Sequence, residues 1–313
     1  MKWLFPLLLL SLALPPLHAQ NADKPDKPAA KQKAKKAKKP AAPFAWVNPL
    51  PEGKWPFLEH RTFTSPSMDV DVGYCIYLPS AYKKKTAAEQ RFPVVYLLHG
   101  GRPGSELKMG NVIKTVHEAM EAGKVRPMIY ILPNGGRVSH YNMPDSKGED
   151  VIVKELIPHI DKTFRTIASR EGRAIEGFSQ GGRGAARIMF KYPELFASGA
   201  PGGGGFATEK KIAESGGYEN EKLFFGKGVN TWDRARAYAN ARADSKLPEL
   251  KILVYVGDKG FNYQNNLEYT AFLTSLGIAH RRLVVTDAPH SASIIYQKKG
   301  IEIMRFHAGN LAR

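Results

Sequence analysis

Along most of this chain, from about Phe44 onward, apolar runs alternate with segments whose apolar positions recur every three to four residues. Residues 59–64 and 70–78 read as strands bracketed by Pro66 and by Pro79-Ser80, the pattern of an antiparallel pair at the start of a sheet. Residues 92–98, 127–132 and 250–256 are almost continuously apolar, as strands covered on both faces are. Further strands are expected at 195–200 and 281–285. Helices are expected between them. In 111–121, Val112, Val116, Ala119 and Met120 share a face and Gly123 is the stop signal; in 150–164, Val151, Leu156, Ile157 and Ile160 point inward in spite of Pro158. Residues 182–192 stop at Pro193, 232–243 are alanine-rich, 265–276 end at Gly277, and a last helix runs from Ser293. Residues 208–225 are weakly patterned. Strand and helix in alternation predict an α/β architecture, one mostly parallel sheet with helices on both faces.

One stretch organises the candidate chemistry. Arg173-Ala174-Ile175-Glu176-Gly177-Phe178-Ser179-Gln180-Gly181-Gly182 reads as a short strand, a tight turn and a helix start. Gly177 and Gly181 give the room that so sharp a reversal requires, and Ser179 between them is placed as a nucleophile, with the Gln180 N–H facing the position of an oxyanion. A serine hydroxyl needs a base in reach, and the base needs a partner that fixes its tautomer. In parallel sheets the working loops lie at the carboxyl ends of strands. His99-Gly100-Gly101, Ser179, Asp258 and His290 all fall there.

His290 follows the last strand and is the expected base, in preference to His280 at the strand entry, His99 beside the oxyanion loop and His140 in a loop. Asp258 follows its strand by one glycine and is the expected acid. Asp287 lies only three residues before His290, and Glu268 sits within a helix. The order Ser179, Asp258, His290 is that of the α/β-hydrolases, and Gly101 is the expected second oxyanion donor. No metal or cofactor is called for. Arg102, Arg137, Arg183 and Lys259 adjoin strand-end motifs, so Arg102 and Arg183 are candidate contacts to a negatively charged part of a substrate, with surface ion pairing as the plainer reading. Pro201 and the four glycines after it lack the Gly-Lys-Ser/Thr of a phosphate cradle and suit a flexible loop by the cleft. Glu176, a carboxyl in a buried strand before the nucleophile, fits either a paired core charge or a contributor to the site.

Composition changes the picture at the amino terminus. Residues 1–19 combine Lys2 with an apolar run broken by Pro6, Pro15 and Pro16, the pattern of a secretory signal peptide. Of the net charge of +17, Lys2 carries one and the lysines of residues 20–43, less two aspartates, carry six. That tail has no apolar residue larger than alanine until Phe44 and is expected to be a disordered linker with weak attraction for anionic envelope polymers. It lacks the interleaved aromatics that nucleic-acid binding would use. A single 44–313 domain follows, into which Phe44, Trp46, Trp55 and Phe57 lead, with stacking of Trp46 or Trp55 on a sugar as the sharper role. The lone cysteine, Cys75, cannot make an internal disulfide and reads as a buried small hydrophobe. No membrane span is expected, and the mature protein should be soluble, in the periplasm or outside the cell.

Taken together, Leu97-Leu98-His99-Gly100-Gly101, Leu132-Pro133-Asn134-Gly135, Glu155-Leu156-Ile157-Pro158 and Gly177-Phe178-Ser179-Gln180-Gly181-Gly182 resemble the esterase D-like esterase family over residues 57–307. That family includes feruloyl and acetylxylan esterases, enterochelin esterases, S-formylglutathione hydrolases and mycolyltransferases. The resemblance implies an α/β-hydrolase fold and the same roles for Ser179, Asp258, His290, Gly101 and Gln180. Two departures stand out: Gln180 where many relatives have methionine, and Ser291-Ala292-Ser293 after His290 without an aromatic residue. The expected function is an exported serine ester hydrolase acting on a carbohydrate-linked ester. A siderophore ester hydrolase and a non-catalytic module that binds envelope glycans are the alternatives.

Overall fold

In the computed structural model, eight strands form one sheet in the order β1-β2-β4-β3-β5-β6-β7-β8. They are β1 Leu58–Ser65, β2 Val70–Tyr77, β3 Val94–Leu98, β4 Ile129–Pro133, β5 Arg173–Phe178, β6 Ser198–Gly202, β7 Lys251–Gly257 and β8 Arg281–Val285. The structure describes residues 43–214, 218–220, 223–224, 228–244 and 247–313. The expected signal peptide and nearly all of the lysine-rich tail lie outside the described residues, as does part of the weakly patterned 208–225 stretch. The first two strands pair antiparallel, β2 meets β4 antiparallel, and the remaining pairs are parallel. This is the α/β-hydrolase arrangement.

The parallel strands are covered on both faces, which is why their sequences are apolar without alternation. On one face Tyr96, Leu98, Ile131, Ile175 and Val254 pack with Val151, Ile160, Ala185, Met189 and Trp232. On the other, Val95, Leu97, Tyr130, Ala174 and Tyr255 pack with Val116, Met120, Ile295, Ile303 and Met304. The longer helices are α1 Ile113–Glu121, α2 Ile157–Thr163, α3 Gln180–Lys191, α4 Phe206–Glu214, α5 Thr231–Ala243, α6 Tyr263–Ser275 and α7 Ala292–Asn310. Among the described residues, no helix is long and apolar enough to cross a membrane.

Three local readings needed adjustment. The strand expected at 195–200 occurs at Ser198–Gly202, where small residues sit between β5 and β7 and are buried by their neighbours rather than by their own bulk. The segment Val151–Leu156 ahead of Pro158 is π-helical, a widened turn that accommodates a ring with no N–H to offer. Helix α3 begins at Gln180, directly after the nucleophile candidate. Cys75 is fully buried in β2, and burial pushes its thiol up to about 12, consistent with a packing role.

Glu176 also finds its explanation in the core. Its Oε1 accepts hydrogen bonds from Tyr255 Oη at 3.0 Å and Tyr296 Oη at 2.6 Å. Its Oε2 lies 3.4 Å from His307 Nε2, and the Nδ1 of that ring is 2.8 Å from Ser198 Oγ. The group ties β5 to β6, β7 and α7 from inside, as the paired core group that was one of its two readings.

Candidate active site

The turn after β5 brings the nucleophile candidate out of the sheet. Ser179 has φ 60° and ψ −116°, a conformation that non-glycine residues rarely hold and that must be maintained by the surrounding structure. Its N–H donates to Gly202 O at 2.8 Å, which anchors the strained turn to the end of β6. A Cβ at Gly177 would overlap the Gly181 carbonyl, and one at Gly181 would overlap Leu98 O, so neither position can take a larger residue without moving backbone.

The imidazole of His290 meets this serine. His290 Nε2 lies 2.9 Å from Ser179 Oγ, the distance of a hydrogen bond. The ring packs between Phe178, with centroids 4.7 Å apart, and the exposed Phe261, at 4.3 Å. Burial holds the pKa of His290 below its usual value, so the ring is neutral at pH 7 and able to accept a proton.

The partner of the other ring nitrogen corrects the sequence reading. His290 Nδ1 lies 3.1 Å from Asn262 Oδ1. Asp258, placed there by sequence, instead accepts from the Ala288 N–H at 3.3 Å and is only half-buried. The reason is reach: Asp258 directly follows β7, its N–H held by Val285 O, whereas the chain runs four more residues before Asn262 arrives beside the imidazole. The other two acids considered are also elsewhere. Asp287 is exposed and 3.8 Å from Lys259, and Glu268 is on the exposed face of α6.

The loop after β3 lies against the same turn. A Cβ at Gly100 would stand 3.1 Å from Ser179 Cβ, and Gly101 has φ +67°. The Gln180 amide opens α3, where the first N–H groups have no intrahelical acceptor. Two buried histidines support the loop from below. His99 Nε2 accepts from the Gly135 N–H at 3.1 Å, which leaves its proton on Nδ1 toward Gly100 O at 3.3 Å. His140 Nε2 must donate to His99 O, 3.0 Å away. Burial first, then the neighbouring His140, pushes His99 well below the usual histidine range, and burial takes His140 down to about 3. Ser139 Oγ donates to Gly101 O at 2.6 Å. His140 and Ser139 both have positive φ, and the sequence read this segment only as a loop.

The arginines assigned to substrate are placed otherwise. Arg183 is 2 % exposed, so it does not present its guanidinium at a rim. In sequence a charge marks the surface, but α3 is buried from Gly181 to Phe190, packed on β3, β5 and β6 in the middle of the sheet. Arg102 is half-buried and donates from Nε to Gln180 Oε1 at 2.9 Å, a tie between the loop after β3 and α3. Arg137 pairs with Asp145 and Lys259 with Asp287, in agreement with the plainer ion-pair reading.

Among known proteins, the family model described as "Putative esterase" matches residues 65–285. Esterase Rv1288 of Mycobacterium tuberculosis is 29% identical over 254 residues, covering 76% of this chain and 54% of that protein. An endo-1,4-beta-xylanase/feruloyl esterase of Xylanibacter ruminicola is 32% identical over 173 residues, which is 49% of this chain and 22% of that protein. The chain thus spans about half or less of the length of these relatives. Of solved structures, a ferulic acid esterase superposes with TM-score 0.66 at 20% identity, covering 81% of this chain and 98% of its own. The S-formylglutathione hydrolase of Staphylococcus aureus gives 0.61 at 18% identity, with coverage of 79% and 98%. At these identities the structural likeness establishes the fold.

Proposed function

The chain belongs to the putative esterase family, and we propose that it is an exported serine carboxylic-ester hydrolase that works through an acyl-enzyme on a carbohydrate-linked ester of feruloyl or acetyl type. Support for the chemistry comes first from the 2.9 Å contact between His290 Nε2 and Ser179 Oγ. In the proposed reaction Ser179 Oγ attacks the ester carbonyl as its proton passes to His290 Nε2. The carbonyl oxygen becomes an oxyanion opposite the Gly101 and Gln180 N–H groups, donors of the kind that contribute about 10²–10³ each in rate. Collapse breaks the C–O bond to the leaving alcohol, which takes the proton from His290. Water then attacks the acyl-serine, giving its proton to the same nitrogen, and Ser179 regains its hydrogen as the acid departs.

The substrate class draws support from the feruloyl esterase in the name of the Xylanibacter relative. Export rests on the pattern of residues 1–19, and the lysine-rich residues 20–43 would hold the enzyme loosely near anionic envelope polymers. The test is turnover of methyl ferulate, acetylated xylan and a p-nitrophenyl acetate reference by wild type and Ser179→Ala. A loss of up to ~10⁶ in kcat is expected for the variant. Equal turnover by the two proteins would refute the reading, and cleavage of p-nitrophenyl acetate with neither methyl ferulate nor acetylated xylan turned over would refute the substrate class.

A further inference from the structure

Asn262 occupies the position at which an ionised acid was expected. It is 1 % exposed, and every polar atom of its side chain is used. Its Nδ2 donates to Gly203 O and to Gly204 O, the latter at 3.2 Å, and its Oδ1 faces His290 Nδ1 at 3.1 Å. Two carbonyl oxygens on one side of the amide settle its orientation, because only the NH₂ end can face them. The oxygen is therefore left for the imidazole, which must carry its proton on Nδ1 and keep the Nε2 lone pair for Ser179. Asn266, one turn along α6, repeats the arrangement, donating to Gly204 O at 2.9 Å and to Asn262 O at 2.8 Å. Gly203 has φ +48°, and a Cβ there would lie 3.4 Å from His290 Cε1.

We infer that Asn262 is the positioning residue for His290, that it does this work without charge, and that the same amide couples the histidine to the glycine-rich segment Gly203-Gly204. The inference rests on the proposed serine-esterase reading. A carboxylate would serve this site poorly: at position 262 one of its oxygens would point at the two glycine carbonyls and lose both hydrogen bonds. Charged groups on the surrounding elements are turned to other partners. Asp258 accepts from Ala288, Lys259 lies with Asp287, Arg102 donates to Gln180, Glu209 of α4 accepts from Tyr141 and Thr231, and Arg183 is buried within α3. The imidazolium that forms during turnover thus has a dipole, not an anion, at Nδ1. The acid limb of kcat/KM should accordingly lie at lower pH than for a carboxylate-paired histidine, in the same direction as burial moves the ring.

The experiment compares wild type, Asn262→Ala, Asn262→Asp and Asp258→Asn by turnover of p-nitrophenyl acetate against pH, and by NMR of the His290 ring nitrogens. The NMR arm does not depend on turnover, so it decides the inference even if the esterase reading fails. Wild type is expected to show the Nδ1–H tautomer, titrating below the usual histidine value. Asn262→Ala should lose on the order of 10² in kcat, as a misaligned catalytic group does, with KM little changed and the Nδ1–H tautomer depleted. Asn262→Asp should move the acid limb to higher pH and lower kcat at least about tenfold through displacement of the glycine segment. Asp258→Asn keeps an acceptor for Ala288 and should behave as wild type. The inference is overturned if wild-type His290 is the Nε2–H tautomer, if both Asn262 variants keep wild-type kcat and titration, or if Asp258→Asn costs as much as Asn262→Ala.

Discussion

Replacing Glu176 with alanine should damage the fold and spare the chemistry. The side chain is fully buried three residues before Ser179, and its Oε1 satisfies two tyrosine hydroxyls, Tyr255 at 3.0 Å and Tyr296 at 2.6 Å. Removing the carboxyl group leaves both hydroxyls without that acceptor in a closed core, at about 1–3 kcal/mol each. The vacated volume adds on the order of 1 kcal/mol, for a destabilisation of roughly 3–7 kcal/mol. At about 2–4 °C per kcal/mol for a domain of this size, Tm should fall by roughly 6–28 °C. Glu176→Gln retains an oxygen for the tyrosines and should recover most of the loss. The assay is a urea or thermal unfolding curve for each variant, together with kcat per folded molecule on p-nitrophenyl acetate. Unchanged stability with a large fall in kcat would refute the core assignment and return Glu176 to the active site.

Two further outcomes concern the loop after β3 and the segment that supports it. His140 is held neutral down to about pH 3 by burial, whereas the unfolded chain protonates it below about 6.5. The unfolded state thus binds the extra proton, and stability should fall as pH drops from about 6.5 toward 3; His140→Gln should flatten that dependence in urea midpoints measured against pH, and an unchanged slope would exclude His140 as its source. Arg102→Gln removes the tie to Gln180 and should lower kcat equally for neutral and anionic esters. A rise in KM confined to the anionic ester would restore Arg102 as a substrate contact.

The sheet was legible because strands covered on both faces need apolar residues at every position, as residues 94–98 and 129–132 have. The strand at Ser198–Gly202 was displaced in the reading because Ser, Gly, Ala and Pro give no apolar signal; β5 and β7 supply its burial. The elbow was legible for a steric reason, since Gly177 and Gly181 are the residues that let backbone approach backbone around Ser179. His290 followed from its place after the last strand. Asn262 carries no charge that would mark it in the sequence, and a short polar residue opening a helix has an ordinary role as a cap. Only the three-dimensional position of the Gly203 and Gly204 carbonyls makes an amide the fitting group. Arg183 was misplaced for the converse reason, a charge taken as a mark of the surface on a helix that the fold buries all round.

Whether Ser179 carries the acyl group during turnover is decided by mixing the enzyme with p-nitrophenyl acetate, quenching in acid and weighing the peptides. A stoichiometric burst of p-nitrophenol and an acetyl group on the peptide containing Ser179 are expected, both absent in Ser179→Ala. An acetyl group on another residue that turns over at the steady-state rate, or undiminished hydrolysis by Ser179→Ala, would rule out Ser179 as the acyl carrier.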